Sequence, residues 1–439
     1  MTAFAVDTSA LDAAPCHWER RPLWSLIKRR DVTGRADLEL LSVYRDYGVV
    51  PKSSRGDNFN KPSEDLNLYQ HVRPGDLVLN KMKTWQGALA VSRYEGIVSP
   101  AYFVCEFTSA DVYPRFAHYL LRSQPYINLY RTLSKGIRPN QWDLPFDEFR
   151  ILPMLLPPLR EQRRIADFLD TETAGTDKLR DIALDLVERL GERRAAGVAA
   201  AVSGNTHIER RVSTLPWLET VPVAWQEVRL GLLARMGSGH TPSRSHPEWW
   251  VDSTIPWITT GEVKQFRDDR LEEVHETREK ISEVGLVNSA AELHPAGTVV
   301  LCRTASAGYS AVMGADMATS QDFVAWTCGP RLDPFYLLWC LRAMRPDLLG
   351  RLAMGSTHKT IYVPDLQMLR IPLPPLPEQR EIVKRIRAQN QGIDRLVDAV
   401  RRQIELLAER RQALITAAVT GEFDVSSASG RGVTDGVGS

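Results

Sequence analysis

A nine-residue stretch occurs twice, and its second copy constrains the layout of the whole chain. Pro157-Pro158-Leu159-Arg160-Glu161-Gln162-Arg163-Arg164-Ile165 returns as Pro374-Pro375-Leu376-Pro377-Glu378-Gln379-Arg380-Glu381-Ile382, 217 positions later (Glu161 to Glu378). The match continues without a gap. Asp177-Lys178-Leu179 lands on Asp394-Arg395-Leu396, Glu192-Arg193-Arg194 on Glu409-Arg410-Arg411, and Ala201-Val202-Ser203-Gly204 on Ala418-Val419-Thr420-Gly421. Solenoid and propeller repeats run to roughly 20–50 residues, so a period this long marks a duplicated half-protein with its own core. With 439 residues, 43% of them hydrophobic, the chain can bury more than one core.

The repeat divides the chain into a mixed unit over 21–156, a helix over 157–205, a second mixed unit over 216–373 and a second helix over 374–422. Residues 1–20 read as a loosely held lead-in, and the Ser- and Gly-rich stretch 426–439 as a disordered tail. The helices rest on apolar residues every three or four positions: Ile165, Phe168, Leu169, Leu179, Ile182, Leu186 and Leu190 in one copy. In the other they are Ile382, Ile386, Ile393, Leu396, Val400, Ile404, Leu407 and Leu414. Pro377 is tolerated at a helix start, Glu161 and Glu378 complement the positive end of the dipole, and Gly204 and Gly421 fit left-handed stops. Gly175, Gly191 and Gly197 each weaken a helix interior by about 1 kcal/mol relative to Ala, which leaves continuity at Gly175 open. Each apolar stripe is one-sided, so pairing of the two helices would bury both.

The mixed units echo each other more faintly. Arg73-Pro74-Gly75-Asp76-Leu77-Val78-Leu79 is similar to Pro295-Ala296-Gly297-Thr298-Val299-Val300-Leu301, a turn entering a buried strand. Tyr102 to Phe107 answers Phe323 to Cys328, and short helices are predicted over Arg115 to Arg122 and Pro334 to Arg342.

Motifs for chemistry are missing. No Walker-type phosphate loop occurs, and Met236-Gly237-Ser238-Gly239-His240 has no strand-turn-helix context for a methyl-donor site. Asp252 with Glu262-Val263-Lys264 has the outline of a nuclease carboxylate set, but Asp252 reads as a loop residue. Cys16, Cys105, Cys302, Cys328 and Cys340 form no C-x-x-C pair and read as ordinary buried thiols, and the nine histidines show no H-x-x-x-H. No apolar run approaches a membrane span and Met1 to Asp12 lacks signal-peptide character, so a cytoplasmic location with no membrane partner is expected. A net charge of +1 requires any nucleic-acid site to be local.

Several loops do combine basic, amide, hydroxyl and aromatic groups, the types that contact phosphates and base edges. The first unit offers Lys81, Lys83, Trp85 and Gln86, then Lys135, Arg138, Asn140 and Gln141. The second offers Thr259, Thr260 and Lys264, then Arg303 and Thr304, then Ser356, Thr357, His358 and Lys359. The last group occupies the place, shortly before a long helix, that Lys135 to Gln141 occupies in the first unit.

The order of variable unit, P-P-L-x-E-Q helix, E-R-R…A-A-V-x-G ending, and the same again, resembles the DNA specificity subunit of type I restriction-modification systems. Val221 to Gly231, Ser238-Gly239-His240-Thr241-Pro242-Ser243 and Ile255-Pro256-Trp257-Ile258-Thr259-Thr260-Gly261 are similar to the opening of that family's target recognition domains; the first unit, near Trp24-Ser25-Leu26, lacks the S-G-x-T-P-S run. The resemblance implies an α+β fold: two similar α/β target recognition domains separated by two long antiparallel helices forming a coiled-coil spacer. It implies a non-catalytic chain, each domain reading half of a bipartite asymmetric site in double-stranded DNA while the helices set the gap. Two methyltransferase subunits and the restriction subunits, a nuclease and translocase, are the implied partners. S-adenosylmethionine, ATP and Mg would then act on those partners, with no cofactor on this chain. The competing readings are a stand-alone nuclease or methyltransferase and a coiled-coil adaptor without a DNA role.

Overall fold

The computed structural model describes residues 7–55, 62–63, 65–136, 142–355 and 359–428. They form two compact units, one of residues 1–183 with 402–439 and one of residues 184–401. Both unit boundaries fall inside a long helix, so each unit owns a stretch of both helices.

In the first unit an antiparallel four-stranded sheet runs in the order Ile27–Arg29, Tyr102–Phe107, Leu77–Asn80, Leu89–Val91. The second unit repeats that order with Ala234–Ser238, Phe323–Cys328, Val299–Cys302 and Ser310–Met313, then adds Glu273–Val274 in parallel. Gly75 and Gly297, at φ 95° and 82°, make the turns into the two central strands, a backbone region that favours glycine. A separate antiparallel pair closes each unit: Glu19–Pro22 with Pro153–Leu156, and Gln226–Arg229 with Arg370–Leu373. The helices Pro114–Leu121 and Pro334–Asp347 follow the strands as the sequence suggested.

The long helices are continuous over Leu159–Val202 and Leu376–Thr420, 44 and 45 residues, or about 66 Å each at 1.5 Å per residue. The first runs unbroken through Gly175, where an added Cβ would meet nothing within 4 Å. Gly197 differs, because the Gln389 amide of the other helix lies against its backbone. Within the first unit Ile165, Ala166 and Leu169 share a core with Ile415, Ala418 and Val419, and Arg411 reaches Asp177 at 3.5 Å. Within the second, Leu190 clusters with Ile393 and Val397, while Val198 and Val202 share a core with Ile382, Val383 and Ile386. In both units the numbering rises on one helix as it falls on the other, so the pairing is antiparallel. Gly204 and Gly421 adopt φ of 65° and 80° just past the two helices.

Three expectations need correction. The apolar stripe of the first helix is only partly buried: Leu179, Ile182 and Leu186 remain 54%, 56% and 40% exposed, because the small Ala183 and Thr173 occupy the buried face there. The lead-in is not loose; Leu11 and Trp18 sit in the first core and Glu19–Pro22 is a strand. The expected tail from Ser426 begins inside a short helix, Val425–Ala428, anchored by buried Val425; residues 429–439 lie outside the described residues.

The repeated P-P-L-x-E-Q motif has a physical explanation at the joint between helix and sheet. Gln162 is 1% exposed: its amide donates to Asp111 O and Pro157 O, both at 2.8 Å, and its oxygen accepts from Tyr113 N at 2.8 Å. Gln379, 0% exposed, does the same with Arg331 O and Pro374 O at 2.9 Å and Asp333 N at 2.8 Å. Each glutamine therefore satisfies the backbone at the entrance of the neighbouring short helix. The glutamate of the motif holds the opening of the unit. Glu161 accepts from Trp18 Nε1 and pairs with His17, both at 3.1 Å, and Glu378 accepts from Trp225 Nε1 at 3.2 Å and pairs with His207 at 2.6 Å. Added Cβ atoms at the helix-stop glycines would strike Pro15 and Trp18 from Gly421, and Pro222 and Trp225 from Gly204. Pro15-x-x-Trp18 is thus the first unit's counterpart of Pro222-x-x-Trp225.

Candidate functional site

The basic and hydroxyl-bearing loops are gathered around one residue in each unit, the first after the central strand. In the first unit it is Lys81. Its backbone N–H donates to Ala101 O at 3.1 Å, its carbonyl accepts from Leu144 N at 3.1 Å, and its ammonium donates to Pro100 O at 2.7 Å. In the second unit the position is Arg303, with N–H to Asp322 O at 2.7 Å, carbonyl from Ile361 N at 2.8 Å, and Nε to Gln321 O at 2.9 Å. The same three anchors recur on unrelated side chains, so the backbone framework fixes a cation at the tip of each sheet.

Those anchors bring together groups that are far apart in sequence. Lys135 pairs with Asp143 through two backbone hydrogen bonds, next to Leu144, which binds Lys81. Lys135 itself is exposed and its ammonium reaches Glu148 at 3.1 Å. Lys83 is exposed beside Lys81. In the second unit Met354 pairs with Thr360, and Thr360 also bridges to Thr304, so exposed Lys359 lies beside the Arg303 loop; its ammonium donates to Leu349 O at 3.1 Å. Arg138, Asn140, Gln141, Ser356, Thr357 and His358 lie outside the described residues.

Thr259 leaves the strand Ile255–Ile258, which pairs in parallel with Ala318–Thr319, and Ser320 N donates to Ile258 O at 2.9 Å. Thr260 begins a helical turn and Lys264 is exposed on the next, Val263–Phe266. Arg267 ties that turn to the Arg303 loop by a 3.0 Å bond to Ser306. The S-G-H-T-P-S run folds onto the same place: His240 N donates to Thr319 O at 3.0 Å and Thr241 Oγ1 to Gln321 Oε1 at 2.6 Å. Gly239 is required there, since a Cβ would collide with Thr319 and with the Ser320 carbonyl.

Trp85 does not serve as a stacking platform. It is 8% exposed, its indole N–H donates to Met82 O at 2.9 Å, and its ring lies 5.0 Å from that of Trp142, so it supports the loop from beneath. Gln321, Thr241 and Arg267 are members of the cluster that the sequence reading passed over. Only the S-G-x-T-P-S run pointed toward Thr241, and nothing in the sequence marks an exposed turn glutamine.

The nuclease outline dissolves in the fold. Asp252 sits in a turn at φ 51°, Lys264 is helical, and the buried Glu262 carboxylate is spent on Arg278 N at 3.1 Å and on Gln265. Burial pushes the thiols of Cys105, Cys302, Cys328 and Cys340 up to about 12, which leaves them unreactive. Cys16, against expectation, is exposed. Burial likewise lowers the pKa of His294 and keeps the imidazole neutral. Among the described residues no helix is long and apolar enough to cross a membrane, and no three His, Cys, Asp or Glu side chains gather as a metal site.

Residues 222–406 match the family model described as the type I restriction modification DNA specificity domain. A putative type I restriction enzyme MjaX specificity subunit of Methanocaldococcus jannaschii is 22% identical over 376 residues, 83% of this chain and 82% of that protein. The EcoR124I/EcoR124II specificity subunit of Escherichia coli is 24% identical over 189 residues, 42% of this chain and 45% of its own length. Among solved structures, a chain from a study of complex assembly and conformational transition of the type I R-M system superposes with a TM-score of 0.70 at 22% identity. That likeness covers 93% of this chain and 99% of the other. The HsdS subunit of Thermoanaerobacter tengcongensis gives a TM-score of 0.50 at 21% identity, over 93% and 98% of the two chains. The structural likenesses establish the fold.

Proposed function

We propose that this chain belongs to the type I restriction-modification DNA specificity family, whose model matches residues 222–406, and is the sequence-reading subunit of such a system. Each sheet-bearing unit reads one half of a bipartite, asymmetric site in double-stranded DNA, and the paired helices set the number of unread base pairs between the halves. The observation that carries this reading is the duplicated anchoring of a cation, Lys81 and Arg303, by the same three hydrogen bonds at the tip of each sheet. Around them Lys83, Lys135, Thr259, Thr260, Lys264 and Lys359 supply phosphate and base-edge contacts. Arg138, Asn140, Gln141, Ser356, Thr357 and His358, close to these in the sequence, complete the set of proposed DNA contacts. A helix of about 66 Å exceeds one turn of duplex, roughly 34–36 Å, so its length suits a gapped site.

Chemistry belongs to partners on this reading. Two methyltransferase subunits bring S-adenosylmethionine, and restriction subunits bring ATP-driven translocation and Mg-dependent cleavage. The half-exposed Leu179 and Ile182, apolar side chains on a helix surface of the first unit, suit docking of a partner helix. The chain works in the cytoplasm and carries no cofactor. Purified chain incubated with duplex DNA and Mg, or with S-adenosylmethionine, is expected to leave the DNA uncut and unmethylated. Cleavage or methyl transfer by the chain alone would replace this reading with that of a stand-alone enzyme.

A further inference from the structure

The two anchored cations differ in what they leave free. Lys81 spends its ammonium on Pro100 O and lies 4.6 Å from the Phe103 ring centroid, and the turn beside it carries Pro100 and Ala101, which have no polar side chain. Arg303 commits only Nε, to the Gln321 carbonyl at 2.9 Å; its two outer guanidinium nitrogens have no partner among the described residues. Gln321 is exposed at the tip of a tight turn closed by Phe323 N to Ser320 O at 3.1 Å. Its side-chain oxygen accepts from Thr241 Oγ1, which fixes the plane of the amide and leaves its N–H groups and one lone pair open. The neighbouring Asp322 carboxylate is occupied by the Thr304 and Ser320 hydroxyls, so it orients the turn and does not neutralise Arg303 through a direct pair.

A guanidinium bonded to the Gln321 backbone carbonyl and the carboxamide of that same residue carry the groups that match the major-groove edges of the two purines. Arginine pairs bidentately with guanine O6 and N7, glutamine with adenine N6 and N7. Both side chains are already immobilised by the protein, which lowers the entropy lost on binding. We infer that Arg303 and Gln321 form a base-reading pair of the second unit, Arg303 taking a guanine and Gln321 an adenine of the same half-site. The inference rests on the proposed function and adds to it the residues and the bases. It also gives a physical source of asymmetry, because the first unit holds its cation in the same slot with Pro100, which has no polar side chain, in the place of Gln321.

Selection of bound duplexes from a random pool, with the full-length chain and its Arg303→Ala, Arg303→Lys and Gln321→Ala variants, tests the pair. Thermal melts of each variant confirm folding. R303A is expected to lose roughly 10–100-fold of preference at one guanine, and Q321A to lose a similar factor at one adenine of the same half, the other half-site staying unchanged. R303K retains charge without the planar fork, so it loses the guanine preference while holding overall affinity. A bipartite motif that survives both alanine substitutions, or an R303A variant that weakens all sequences alike and lowers the salt slope by about 1, overturns the pair alone. A wild-type chain with no sequence preference overturns the functional reading and the pair with it.

Discussion

Replacing Gln379 by alanine is expected to destabilise the unit of residues 184–401 by about 3–5 kcal/mol, one of the largest losses available from a single polar side chain. The amide is fully buried and makes three hydrogen bonds to backbone groups of two different segments. Alanine removes none of those backbone groups. It leaves the buried Pro374 carbonyl and the part-buried Asp333 N–H and Arg331 carbonyl without this partner, at about 1–3 kcal/mol for each unsatisfied group that water does not reach. The Asp333 side chain caps the following helix through Phe335 N and Tyr336 N, so the loosened loop also frays a helix start. In a thermal melt a loss of this size lowers the midpoint by roughly 10 °C. Gln162→Ala should do the same to the other unit, through Tyr113 N–H and the carbonyls of Asp111 and Pro157. Arg380→Ala, one residue from Gln379 but with an exposed side chain 3.7 Å from Asp333, should stay within about 0.5 kcal/mol of the parent. If Gln379→Ala were as mild as Arg380→Ala, the joint described here would not be what the repeated motif is for.

Exchange of a reading unit is expected to replace one half-site completely and leave the other untouched. The structure dictates where to cut. A boundary at Arg21 would divide the strand Glu19–Pro22, and one after Leu156 would set the donor's whole Pro153–Leu156 strand against the parent's Glu19 and Arg20. Residues 23–152 of a relative, grafted between these strands, keep the strand pair and the Trp18–Glu161 bond in place and leave Gln162 to bond the donor's counterparts of Asp111 and Tyr113. Each unit has its own sheet and its own anchored cation, so nothing in the second unit's site depends on the graft. Duplexes selected by the chimera should carry the donor's half-site beside the parent's second half-site. A simultaneous change of both halves would contradict independent reading.

Much of this was legible because duplication makes a sequence comment on itself. The two long helices, the central strands with their left-handed Gly75 and Gly297 turns, and the helix-stop glycines were all visible as paired features. The function of the Glu-Gln motif was not, since its partners lie far away in sequence: Trp18 is bound by Glu161 and Trp225 by Glu378. The first unit's opening was hidden for a related reason. Trp18 and Trp225 are 207 positions apart, whereas the helix motifs are 217 apart, so the residues inserted between break the simple register and Pro15-x-x-Trp18 passes for a lead-in. Periodicity also promised more burial than Leu179, Ile182 and Leu186 receive, because a stripe shows which side of a helix is apolar and not how much of it a partner covers. At the candidate site, composition picked out Lys81 and Arg303, which the fold anchors alike, but gave no sign that Trp85 is buried, its indole holding up the loop from inside. Gln321 was invisible, since its importance comes from Thr241 and Arg303 converging on it across three separate loops.

The most direct test of the central claim is the sequence profile of duplexes that the unaltered chain retains from a random pool. Two reading units on one continuous pair of helices predict two short, unlike specified halves separated by a fixed number of unspecified base pairs. A single uninterrupted motif, a variable gap or a flat profile would contradict the account.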